Sequence, residues 1–234
     1  MSEKITRIAS ARGRRSVKQA ILRLLFPMTV RSVMRQIDQT KLAAIAERYR
    51  VPGEKRHWPK YVDVERWLRL NLRRAHDLGL TRTPRGRSLN ILDLGSGGGF
   101  FLLVCKLRGH RGIGLDLARP PLYGELFNLF GLRRVISAIE AFKPLPESAA
   151  AHGPFDLVTA FSVCFNGQHT PELWGSREWD FLLDDLQQRF LLPGGRVYLD
   201  LNPEKDGSFF TPELRAYFLA RGAEIDRSKV SLRL

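Results

Sequence analysis

The run Asn90-Ile91-Leu92-Asp93-Leu94-Gly95-Ser96-Gly97-Gly98-Gly99-Phe100 leaves this 234-residue chain few choices of fold. A short, mostly apolar strand runs straight into a loop with four glycines in five positions. Apolar residues then resume from Phe100 over a helical length. Glycine suits such a loop because a Cβ would block the tight turn and keep a ligand away from the backbone. The free amides of the loop and the dipole of the following helix favour an anionic group beside them.

The chain after residue 88 alternates strands and helices. Strands are expected over residues 89–94, 112–117, 134–139, 155–161 and 196–201. These are short apolar runs bounded by Gly, Pro or Asp, as in parallel strands buried on both faces. Helices are expected over 100–108, 121–130 and 177–191, the last with Trp179, Leu182, Leu183, Leu186 and Phe190 on one face. Thr170-Pro171-Glu172 and Thr211-Pro212-Glu213 each offer a Thr N-cap, a Pro at the first helical position and an early acid. The succession predicts an α/β fold, a Rossmann-like doubly wound and mostly parallel sheet.

Residues 1–80 read as an N-terminal helical extension, with helices over 41–49 and 61–80. In the second, Val64, Trp67, Leu68, Leu72, Ala75 and Leu78 recur at helical spacing, so that stripe must pack on the following domain. Residues 81–88, punctuated by Pro84 and Gly86, read as a linker, and 89–234 as the ligand-binding domain. From Ala223 only twelve residues remain, enough for one final strand or an abbreviated pair.

Spacing within the loop discriminates between ligands. A dinucleotide fingerprint wants Gly at positions matching Gly95, Gly97 and residue 100, and position 100 is Phe. The chain instead carries Asp93-x-Gly95-x-Gly97-x-Gly99. A second acid, Asp116, ends the expected next strand 21 residues after Gly95. A carboxylate there can accept both hydroxyls of a ribose; an N-cap for the next helix is the alternative.

Together these segments resemble the first two motifs of class I S-adenosylmethionine-dependent methyltransferases, particularly poorly characterised bacterial members. The resemblance spans residues 89–201 and extends through the helix after Thr211. It implies a methyltransferase with S-adenosyl-L-methionine as cofactor. Asp93 would help hold the methionine amino group, and Gly95, Ser96, Gly97 and Gly99 would admit the methionine moiety. Asp116 would take the ribose, with Leu117 beside it. Glu140, before Pro144-Leu145-Pro146, stands in the region that lines the adenine, although the family's acid is not cleanly aligned there. Phe161 ends the strand that faces the departing methyl group. Leu192-Pro193-Gly194-Gly195 resembles the turn entering the fifth strand.

Methyl transfer is an in-line displacement, so the protein chiefly aligns donor and acceptor and needs a base only where the acceptor must lose a proton. The acceptor wall is expected just past the fourth strand, at residues 162–169. His169 is the candidate base and Asn166 its orienting partner, against the plainer reading of His169 as a loop residue. Cys164 reads as a small core residue or a pocket thiol. Trp174 and Trp179 fit core packing better than an acceptor wall. Trp58, Lys60 and Tyr61, at the start of a helix that docks on the sheet, are candidates for a lid over the cofactor.

Charge adds a partner question. Residues 1–37 carry nine Lys/Arg against one acid, a net +8 of the formal +14. That field attracts polyanions, either nucleic acid or an anionic membrane surface through residues 4–37, or it is a solvated arm. A small-molecule or saccharide-like acceptor is the first expectation and RNA or other nucleic acid the second. The Asp/Asn-Pro-Pro-aromatic run of nucleobase methylation is missing at Thr159–Cys164. Two cysteines without repeated spacing and five scattered histidines argue against a disulfide scaffold or a metal site. No apolar stretch is long enough to span a bilayer, although residues 16–26 can form an amphipathic surface helix. A cytoplasmic protein, peripheral at the membrane through the arm, fits these features.

Overall fold

A computed structural model describes residues 28–50, 58–80, 87–163, 165, 173–203 and 206–234. The chain opens with helices α1 (Val30–Met34) and α2 (Gln39–Tyr49), a 3-10 turn (Trp58–Val62) and α3 (Val64–Asp77). There follow β1 (Asn90–Leu94), α4 (Phe100–Leu107), β2 (Arg111–Asp116), α5 (Pro121–Phe130), β3 (Arg133–Ile136), α6 (Glu147–Ala150) and β4 (Phe155–Phe161). The chain closes with α7 (Ser176–Asp185), continued by a π turn to Phe190, then β5 (Leu191–Asp200), α8 (Pro212–Ala220), β6 (Glu224–Asp226) and β7 (Lys229–Arg233).

The strands form a seven-stranded sheet in the order β3-β2-β1-β4-β5-β7-β6. Strands β1 to β5 run parallel, and β7 lies antiparallel between β5 and β6. The fold is Rossmann-like, as the alternation predicts. From β1 the chain winds outward through β2 and β3, then crosses back to β4 on the other side of β1. The carboxyl ends of β1 and β4 therefore flank the topological switch point, where open α/β sheets bind their ligands.

Each face of the sheet has its own core. On one face α7 and α8 pack around Trp179, which is fully buried against Phe165, Trp174 and Phe218 at ring separations of 5.0–5.5 Å. Both tryptophans thus serve packing. On the other face α4 and α5 meet the helical extension. Val33, Leu42, Ile45, Val64, Leu68 and Ala75 join one apolar cluster with Phe100–Cys105, Leu122 and Leu126. The stripe on α3 does find its partner in the sheet's own helices.

Several boundaries differ from the sequence expectation. The helix expected over 61–80 is broken at Asp63, whose side chain caps α3 by accepting from the Arg66 amide at 3.2 Å. Asp38 likewise starts α2 two residues early. Gly194 and Gly195 lie inside β5 rather than in a turn before it. Leu191 already pairs with Phe155, and a β-bulge absorbs the extra residues before Leu157 meets Arg196. Strand β3 ends at Ile136, three residues before the expected boundary, and the Ser137 amide makes the last bond of its ladder with β2, to the Asp116 carbonyl at 3.0 Å. Thr211 caps α8 as expected. The Thr170 start, most of the linker and the arm up to residue 27 lie outside the described residues. Among the described residues no helix is long and apolar enough to cross a membrane.

Leu68 is fully buried between α3 and α4. Leu68→Ala is expected to cost about 2–5 kcal/mol, measured by chemical denaturation in a single transition. A loss under 0.5 kcal/mol would mean that α3 is not part of the core.

Candidate functional site

The glycine loop leaves β1 at the switch point. Gly95, Gly97 and Gly99 all adopt left-handed backbone, at φ +63°, +54° and +75°, and Gly99 is the N-cap of α4. Their neighbours differ. Gly97 faces the crevice, with the Tyr61 ring 3.5 Å from where a Cβ would stand. A Cβ on Gly95 would run into Val163, and one on Gly99 would press on Phe127 at 2.8 Å. Gly97 thus keeps the crevice open to the backbone, whereas Gly99 lets α4 seat against α5.

Twelve residues line the crevice, among them Asp93, Gly95, Gly97, Phe161, Tyr61 and Arg74. Asp93 is almost fully buried, and its Oδ1 accepts from the Thr159 hydroxyl at 2.7 Å. Burial pushes its pKa up to about 7, against the Thr159 hydrogen bond and the Arg74 charge, which both favour the carboxylate.

Asp116 is not an N-cap: α5 starts at Pro121, with Pro120 in the cap position. Its carboxylate accepts from the Gly97 amide at 2.6 Å and from the Leu117 amide at 2.7 Å. That ties the glycine loop to the end of β2, and each oxygen keeps a further lone pair for another donor. Burial raises the Asp116 pKa, opposed by those two amides. Beside it, Leu117 and Ile136 are 54% and 61% exposed. Register pairs Asp116 with Ile136, so Ile136 stands beside Asp116 at the carboxyl end of the sheet, one residue before Leu117. Exposed apolar groups next to a carboxylate suit a flat, partly apolar ligand such as a nucleobase.

The other expected residues are distributed differently. Phe161 closes the crevice from β4 and packs on Phe101. Ser96 contributes backbone only: its hydroxyl is buried without a hydrogen-bond partner, tucked where a Cβ on Gly114 would be. Glu140 sits on an exposed turn, paired with Lys143. His169, Asn166 and Cys164 lie outside the described residues, as does Trp58's side chain. Among the described residues no cluster of His, Cys, Asp and Glu is arranged to hold a metal.

One residue escaped the sequence reading altogether. Arg74, on α3, reaches the crevice with its side chain only 15% exposed. Its guanidinium lies over the Phe161 ring, 4.3 Å from the centroid. Every polar contact it makes is long: 3.4 Å to Asn71, 3.4 Å to Ser162 and 3.8 Å to Asp200. Its Nε is buried with no partner. The guanidinium thus has only long contacts, the ion pair with Asp200 among them, and keeps donor capacity to spare. The available clue was Asn71, a polar residue on the apolar stripe and one helical turn before Arg74; it is 3% exposed.

Ser162 shapes the far wall. It takes left-handed backbone at φ +58°, unusual outside glycine, while its amide donates to the Asp200 carbonyl at 2.8 Å. That turn carries the chain from β4 back across the loop, setting Val163 on Gly95.

No family model and no curated protein matches the chain. Several solved structures are similar to it. DesVI of Streptomyces venezuelae is 15% identical over 70% of this chain and 90% of its own, with a TM-score of 0.48. An amino pentose methyltransferase of Micromonospora echinaspora is 22% identical over 66% and 61%, at 0.44. A glycopeptide N-methyltransferase is 15% identical over 59% and 55%, at 0.40, so the chain spans about half of its length. Likeness this distant carries no inference about an acceptor or a residue's role.

The raised pKa of Asp93 makes its ionised form a cost to the folded chain. That cost is absent below the unfolded carboxylate's pKa near 4, grows as pH rises and is complete above about 7. Asp93→Asn is therefore expected to raise the melting temperature relative to wild type more at pH 8 than at pH 5. The difference between the two pH values should be about 2–4 °C for each kcal/mol relieved. An offset equal at both pH values would show that Asp93 is ionised without cost.

Proposed function

We propose that the chain is an S-adenosylmethionine-dependent methyltransferase acting on a small-molecule acceptor. The observation that carries this reading is the charge arrangement beside the glycine loop. Asp93 and the under-bonded Arg74 line one crevice, a carboxylate and a guanidinium for the two ends of an α-amino acid zwitterion. Asp116 lies across the loop, within reach of a ribose diol, and the exposed Leu117 and Ile136 continue the same line. An amino acid joined to a nucleoside satisfies all of these groups. A dinucleotide would bring a pyrophosphate to a loop flanked by two carboxylates.

In this reading Asp93 accepts from the ligand's ammonium group and Arg74 donates to its carboxylate. The bare backbone at Gly97 lets the chain linking the two ends lie close, and Asp116 fixes the sugar. Bound in this way, S-adenosylmethionine supplies a methyl group already activated by its sulfonium charge. The protein's work is then alignment and exclusion of water. The described residues offer no base within the crevice, since Asp93 and Asp116 are engaged with the cofactor. The crevice is roofed by α3 and its aromatic residues, which favours an acceptor small enough to pass beneath them over a folded nucleic acid.

Calorimetric titration tests the assignment. S-adenosylmethionine and its demethylated product are expected to bind, NAD is not, and Asp116→Ala should weaken binding strongly. Decarboxylated S-adenosylmethionine isolates Arg74. Wild type should prefer the intact ligand by about 1.5–3 kcal/mol, the range for a hydrogen bond to a charged group, and Arg74→Ala should lose that preference. Tight NAD binding, or a preference unchanged in Arg74→Ala, would refute the reading.

A further inference from the structure

The crevice is nearly full. Its free space is about 40 Å³, room for a few waters, whereas sites for small molecules and cofactors start at about 300 Å³. The group that fills it comes from the helical extension. Tyr61 lies against Gly97 and stacks on Trp67 with ring centroids 4.5 Å apart and planes 13° from parallel. Trp67 stacks in turn on Phe100 of α4 at 6.2 Å and 12°, and Tyr123 meets Tyr61 edge-on at 5.1 Å. Lys60 Nζ sits 5.4 Å and 5.8 Å from the Tyr61 and Trp67 ring centroids.

We propose that Tyr61 is the gate of this crevice: its ring stands where the ligand must enter, and swings out on the 3-10 turn Trp58–Val62 to admit it. The proposal rests on reading the crevice as the S-adenosylmethionine site. Three features make the turn the moving part. Tyr61 is only half-buried and is held by its ring contacts and by the approach of its hydroxyl to that of Tyr123, each weak and separable. Asp63 is non-helical, at φ −77° and ψ 71°, and breaks the backbone between the turn and α3. Beyond it α3 is pinned by the buried Val64 and Leu68, so the turn can shift while Arg74 keeps its place. The Lys60 carbonyl accepts from the Trp67 indole at 2.9 Å and from the Asp63 amide at 3.3 Å, and these two bonds latch the turn to the start of α3.

A gate leaves a kinetic signature that a passive wall does not. Stopped-flow tryptophan fluorescence, sensing Trp67, would follow S-adenosylmethionine binding to the full-length protein. In wild type the observed rate should level off with rising ligand concentration, at the rate of gate opening. In Tyr61→Ala it should rise linearly and exceed the wild-type plateau at least tenfold. Tyr61→Phe, which keeps the ring stack and loses only the hydroxyl that faces Tyr123, should still level off. A linear wild-type response, or a plateau unchanged in Tyr61→Ala, would overturn the gate while leaving the cofactor assignment intact. Calorimetry on the same preparations separates the two: no binding to either wild type or Tyr61→Ala refutes the site itself, and the gate with it.

Discussion

Asp93 sets the terms for the rest of the molecule. It stands on the central strand of a parallel sheet, with Leu92 and Leu94 on either side and pairing partners on both β2 and β4. A carboxylate in that position is deprived of water, and its charge is expensive unless cations and donors face it. Thr159 on the neighbouring strand provides one donor and Arg74 one cation, and neither is enough to bring its pKa back to the ordinary range. A protein keeps so costly a group where its charge is put to use. The sheet's switch point, directly beyond Leu94, is where that use is geometrically available.

The helical extension follows from the same requirement. The sheet's own elements bring Asp93 to the crevice from β1 and Asp116 to the glycine loop from β2, and none of the described cations that line the crevice comes from them. Arg74 arrives from α3, whose apolar stripe is buried against α4. The extension also supplies Tyr61 and Trp67, so one packed interface positions the counter-charge and the covering rings together. Its apolar contacts and the site's electrostatics are therefore not separable parts of the chain.

Much of this was legible in the residues. The strand–glycine–helix run predicted β1, its loop and α4, because only glycine tolerates three left-handed turns so closely spaced. Strand β4 and helix α5 fall where the apolar runs place them. Asp93 and Asp116 were singled out from spacing, since a strand end and a loop are local features, and the structure places both beside the glycine loop. The bulge in β5 was not, because it depends on Leu191 finding Phe155 across the sheet. Glu140 was a candidate by position, and the structure shows it on an exposed turn, paired with Lys143.

The sequence by itself determined the alternation of strands and helices, the glycine loop and the acids that flank it. Each of these is written within a few consecutive residues as local conformational preference or apolar period. Tertiary structure alone decided that Arg74 would face Asp93, that Tyr61 would cover Gly97, and that Asp116 would bind the loop rather than cap a helix. Those pairings join residues about 20 positions apart or more. They exist only because the docking of α3 on α4 and the register of β1 with β2 fix distances in space, which no local pattern encodes.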